Sequence, residues 1–107
     1  MAFFELREYH LFPGKRAEWI NYMENVIIPF QQARGMVVIG SFVGETEEDL
    51  YFWIRRFEDE AERERLYEAV YQDEEWKNEI GPKVGTLMDR SKMVVKRLEA
   101  TPRSIIR

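Results

Sequence analysis

Cysteine is absent from the chain, which excludes a disulfide framework, a thiolate nucleophile and any cysteine-ligated metal site. Histidine occurs once, as His10, too little for a histidine-based metal site or a Ser-His-Asp triad, and there is no G-x-S-x-G motif. A phosphate loop is missing too: "GSFVG", Gly40 to Gly44, lacks the lysine and the helix that would have to follow. No apolar run approaches the roughly 18 residues that a membrane helix requires. Sixteen basic residues stand against twenty acidic ones, a net charge of -4. That is the wrong sign for a phosphate-backbone binder, and no basic stripe is interleaved with exposed aromatics. The opening "MAFFELREYHLF" carries charges where a signal peptide has its apolar core. The expectation is a reducing, cytoplasmic setting with no metal, no nucleic-acid partner and no membrane.

What the chain does have is aromatic bulk beside charge. At 107 residues it is one domain with one core. Aromatic residues make up 14% and charged residues 34%, so bulky apolar surface and solvated surface must be sharply segregated, which favours layered packing.

Residues Phe3 to Leu11 alternate aromatic or aliphatic residues with Glu5, Arg7 and Glu8 and run into Pro13-Gly14, a strand followed by a turn. From Lys15 to Arg34, Trp19, Met23, Val26, Phe30 and Ala33 recur on one face at helical spacing, and Gly35 suits a left-handed cap. Pro29 inside this helix predicts a bend. "MVVIGSFVG" and "LYFWIRRF", joined by a polar link, read as a hairpin. Asp59 with Glu62 three residues on forms a capping box for a second helix, whose buried stripe is Ala61, Leu66, Ala69 and Val70. A further helix begins at Asp73, is interrupted by Gly81-Pro82, and precedes a last strand in "KMVVKRL". The order is βαββαβ.

Short connections place both helical units on one face of a four-stranded antiparallel sheet. On the third strand Tyr51, Trp53, Arg55 and Phe57 point one way and Leu50, Phe52, Ile54 and Arg56 the other. Whichever set meets the helices, a large apolar set remains, so the sequence predicts a homodimer through sheet faces. The apolar Ile105 and Ile106 predict that the C-terminal extension, residues 100–107 beyond a domain at 1–99, lies along a partner or its own sheet.

"FELREY" from Phe4, "PGK" at Pro13, Pro29, Gly35, Trp53, "AERER" from Ala61, "DEEW" at Asp73, "IGP" at Ile80 and "TPRS" at Thr101 occur in an order and spacing that resemble the NIPSNAP family. The likeness spans nearly the whole chain and departs where Glu74 replaces a frequent proline. It implies an α+β, ferredoxin-like protomer of the dimeric α+β barrel superfamily. It leaves function open, because that superfamily holds interaction proteins as well as cofactor-free enzymes.

Glu5, Arg7 and Tyr9, two residues apart, project from one face of their strand, and the resemblance implies that this face looks into the barrel. A buried arginine is costly unless paired. The set therefore reads either as a pocket floor for an anionic group or as a structural ion pair, the commoner case. Phe42, Tyr51 and Trp53 are candidates for an aromatic pocket wall, with plain packing as the alternative. His10, at a strand end, is a poor general base and a poor haem ligand, and no cofactor is expected. The functional expectation is a protein binding a small anionic or aromatic metabolite, with cofactor-free catalysis as its extension. A non-catalytic dimeric interaction or scaffold protein is the alternative.

Overall fold

The computed structural model describes all 107 residues. Strand β1 (Phe3–His10) leads to a helical stretch of α1 (Arg16–Tyr22), a π-helical segment (Met23–Ile27) and α2 (Ile28–Gln32). A hairpin of β2 (Val37–Val43) and β3 (Leu50–Phe57) follows, then α3 (Glu60–Tyr71), a second π-helical segment (Trp76–Ile80), α4 (Gly81–Leu87), a short 3-10 turn (Arg90–Lys92) and β4 (Val94–Leu98). The strands pair antiparallel in the order β2-β3-β1-β4. The result is an α+β, ferredoxin-like βαββαβ unit. No helix is long and apolar enough to cross a membrane.

Local chemistry accounts for the boundaries. Gly35 closes the first helical stretch at φ +102°, where a side chain would be strained. Asp59 accepts from the Glu62 N–H at 2.8 Å, and Glu62 in turn accepts from the Glu58 N–H at 3.0 Å.

Both prolines that fall inside helical stretches, Pro29 and Pro82, are handled in the same way. Just before Pro29 the Ile28 N–H reaches the Met23 carbonyl, five residues back, and just before Pro82 the Gly81 N–H reaches the Trp76 carbonyl. Each widened turn absorbs the loss of the proline N–H, so neither proline breaks its helix. Gly81-Pro82 thus carries the helix that begins after Asp73 onward into α4, where an interruption was expected.

One sheet face is covered by the helices. Phe3, Tyr9, Tyr51, Trp53 and Phe57 from the sheet pack with Trp19, Met23 and Ile27 from the first helical stretch and Leu66, Val70 and Ile80 from the second. Glu5 and Arg7 share that face through the register Glu5↔Arg55 and Arg7↔Trp53. This corrects the expectation that they look into a barrel. They lie under the helices, because the residues paired with them on β3 are those the helices bury. The other face carries Leu6, Phe42, Phe52, Ile54 and Leu98, all half-buried or exposed. The C-terminal segment turns back over part of it, where Ala100, Thr101, Ser104 and Ile106 line a shallow cavity together with Phe4, Ile54 and Leu98.

Candidate functional site

The alternation of β1 places Glu5, Arg7 and Tyr9 in a row, and β3 sets Tyr51, Trp53 and Arg55 beside them. Glu5 is the hub. It is fully buried, and its Oε1 accepts from Arg55 Nη2 at 2.7 Å, from Arg7 Nε at 3.3 Å and from the Tyr67 hydroxyl. Its Oε2 accepts from Arg63 Nε at 3.0 Å. Burial alone would raise the Glu5 pKa, but the Tyr67 hydrogen bond and then the charges of Arg55 and Arg7 outweigh it and hold the group at about 2.

Arg55 is buried as completely. It donates to Tyr67 and Tyr71, each at 2.8 Å, and to Gln31 Oε1 at 2.9 Å, and its guanidinium carbon stands 4.6 Å from the centre of the Trp53 ring. Arg7 and Arg55 against the single carboxylate of Glu5 leave one positive charge in excess in the interior. Arg63 is nearer the surface and shared with Glu60.

Arg7 lies at the inner edge of a cavity of about 170 Å³ between sheet and helices. Its sheet wall is Arg7, Tyr9 and Trp53. The helical wall is Trp19, Met23, Ile27, Tyr71, Trp76 and Val84, several of them from the two π-helical segments. Arg90 and Met93 close one side. Arg90 lies against α4, donating to the Gly81 carbonyl at 2.6 Å. It passes Gly85 so closely that a Cβ there would sit 2.8 Å from Nη1. Arg7 donates to the Tyr9 hydroxyl at 3.2 Å and the Tyr67 hydroxyl at 3.1 Å, and Met93 Sδ lies 3.5 Å from Nη1. Burial works against its charge, but the phenol oxygens of Tyr9, Tyr71 and Tyr67 more than offset this and raise its pKa. Arg7 is therefore a permanent cation in an aromatic cavity.

The residues singled out from the sequence are divided by the fold. Arg7, Tyr9 and Trp53 line the cavity; Glu5 stands behind them as the counterion; Tyr51 packs edge-on against Trp19 at 5.6 Å and bonds Ser41 at 2.6 Å. Phe42 is elsewhere. It pairs with Phe52 on the opposite sheet face and is 55% exposed, because a register shift between Val38 and Gly40 sets the parity of β2. His10 is also outside the cavity, held between Glu8 at 2.8 Å and Asp49 at 2.9 Å. Arg55, Gln31, Tyr67 and Tyr71 were not among the candidates. Their signals were an arginine in the alternating apolar set of β3 and two tyrosines four residues apart on α3, next to Leu66 and Val70.

The NIPSNAP family model matches residues 4–102. Among solved structures, the fold is similar to a NIPSNAP family protein from Agrobacterium tumefaciens, at 20% identity, 100% of both chains covered and a TM-score of 0.89. It is also similar to a NIPSNAP family protein with unknown function from the same organism, at 20% identity, 99% of this chain and 94% of that chain covered and a TM-score of 0.88. A third similar structure is an uncharacterized NIPSNAP-like domain protein from Burkholderia xenovorans, at 23% identity, 96% of this chain and 88% of that chain covered and a TM-score of 0.85. No curated protein matches the sequence. The chain belongs to the NIPSNAP family.

Proposed function

We propose that this chain binds a small anionic or aromatic metabolite in the cavity between its sheet and its helices. The observation that carries the reading is Arg7, a largely buried guanidinium facing a cavity whose other lining, apart from Arg90 at one side, is aromatic, aliphatic and thioether side chains, in an interior with positive charge in excess. Such a cavity suits a ligand with one negative group and a flat apolar body. No carboxylate or imidazole lines it, so a proton-abstracting step would fall to Tyr9 or Tyr71, and the reading stops at binding. The test is the melting temperature with a panel of small carboxylates and aromatic acids, on wild type and Arg7→Met. At least one acid should raise it in wild type and not in the folded variant. No shift across the panel, or equal shifts in both proteins, would sink the reading.

A second observation supports the interaction reading beside it. Phe42 and Val37 are exposed on the open face with no cover in this chain. We propose that a second copy covers them, giving a homodimer through sheet faces in a reducing, cytoplasmic setting. Sedimentation at micromolar concentration should show the dimer; a folded monomer would contradict it.

A further inference from the structure

Three phenol hydroxyls sit on the arginine cluster, and they are not equivalent. Each receives two N–H donors. Tyr67 accepts from Arg7 Nη2 at 3.1 Å and Arg55 Nη2 at 2.8 Å, and gives its own hydrogen to Glu5. Tyr9 accepts from Arg7 Nη1 at 3.2 Å and Trp53 Nε1 at 3.0 Å. Tyr71 accepts from Arg55 Nη1 at 2.8 Å and Gln31 Nε2 at 3.3 Å. Arg55, a donor only, also fixes which way the Gln31 amide faces, since it donates to Gln31 Oε1. A hydroxyl offers two lone pairs and one hydrogen. The lone pairs of Tyr9 and Tyr71 are therefore used, and their hydrogens remain. Unlike the hydrogen of Tyr67, neither meets a protein acceptor.

Both of these tyrosines line the cavity. Trp19 lines it as well; it is 1% exposed, and its indole N–H has no partner. A buried donor left unpaired costs about 1–3 kcal/mol, and here three such donors belong to residues that line one space. No lining side chain is a carboxylate, an amide or an imidazole. The cavity thus presents hydrogen-bond donors and two guanidinium groups, Arg7 and Arg90, with no free side-chain acceptor beyond thioether sulfur. Its size bounds the ligand: an apolar cavity of about 150 Å³ takes up benzene, so about 170 Å³ holds one ring and a small substituent.

We infer that the cavity selects a single-ring carboxylate, and that the free hydrogen of the Tyr9 hydroxyl is what separates the acid from its amide. The inference rests on the binding reading above. A carboxylate presents acceptors alone, and its oxygens can meet Tyr9, Trp19 and Arg7 together. A primary amide of the same shape turns an NH₂ toward those donors, leaving donor against donor, and a site built of one kind of group rejects the wrong partner steeply.

Benzoate and benzamide are the probes, and quenching of tryptophan emission is the readout, because all three tryptophans of the chain line the cavity. Benzoate should bind at least about tenfold more tightly than benzamide to wild type. Tyr9→Phe, checked for fold by circular dichroism, should weaken benzoate about tenfold while leaving benzamide nearly unchanged, so that the gap closes. Benzamide binding as tightly as benzoate in wild type would overturn the inference while leaving the cavity a binding site. That comparison stands even if the variant does not fold. An unchanged gap in folded Tyr9→Phe would remove the role given to Tyr9. Quenching by neither probe at millimolar concentration would overturn both the inference and the reading beneath it.

Discussion

The Trp53 indole N–H donates to the Tyr9 hydroxyl at 3.0 Å, across the seam between β3 and β1, and so holds the phenol oxygen in place beside Arg7. Trp53→Phe keeps an aromatic ring but removes the donor and part of a buried indole. The lost hydrogen bond alone, at about 1 kcal/mol, should lower the melting temperature by about 4–8 °C, and the lost ring volume should lower it further. Benzoate affinity should fall several-fold as the Tyr9 hydroxyl loses its anchor. Calorimetry and emission from the remaining Trp19 and Trp76 check both numbers.

Glu5 sets the acid limit of stability. Its carboxyl is held at about 2 in the fold against 4.5 ordinarily. A depressed folded pKa contributes stability that is present above the unfolded value and is lost as the pH falls from about 4.5 toward 2. The contribution is roughly 3 kcal/mol. Urea unfolding should show that loss in wild type and not in Glu5→Gln. The variant should already be less stable at neutral pH by about 3–5 kcal/mol, since Arg55 is left buried without its counterion. The double change Glu5→Leu with Arg7→Met should not restore wild-type stability, because Arg55 stays where it was.

His10 works in the opposite direction. Hydrogen bonds to Asp49 first, and to Glu8, raise its pKa above the ordinary 6.5. The stability it contributes is complete below that value and is lost as the pH rises through the raised one. The link matters locally because the Leu11 N–H donates to the Asp49 carbonyl at 2.7 Å, tying the end of β1 to the β2–β3 connection. Thermal melts across neutral to alkaline pH should show a decline in wild type that is absent in His10→Gln.

The C-terminal segment should not be dispensable. Ile106, Ala100 and Thr101 line a shallow cavity with Phe4, Ile54 and Leu98 on the open face. Truncation after Leu98 should lower the melting temperature and alter self-association in sedimentation. If both stay unchanged, the segment has no role in covering that face.

The elements were legible where a single residue type dictates the backbone. Gly35 ended its helix, Asp59 began one, and alternation on β1 put Glu5, Arg7 and Tyr9 on one face. The counterion network was not legible, because its members come from β1, β3, α2 and α3 and meet only through packing. Pairing Arg7 with Glu5 follows from a spacing of two; nothing local shows that Arg55 and Tyr67 converge on the same carboxylate. Strand parity carried the other misplacement. A one-residue shift near Ile39 sends Phe42 to the face opposite Tyr51 and Trp53, and period-two reasoning within one strand does not fix the register to the next. The π-helical turns before Pro29 and Pro82 likewise leave no mark in the sequence beyond the prolines themselves.

The most direct measurement is a ¹H–¹⁵N spectrum of the indole N–H groups during titration with benzoate. Trp19, Trp53 and Trp76 all line the cavity, and the N–H of Trp19 lacks a partner when the cavity is free of ligand. The account predicts a saturable shift of the Trp19 indole resonance, accompanied by Trp53 and lost in Arg7→Met. Indole resonances that stay still while backbone amides of the open sheet face move would place binding elsewhere and contradict it.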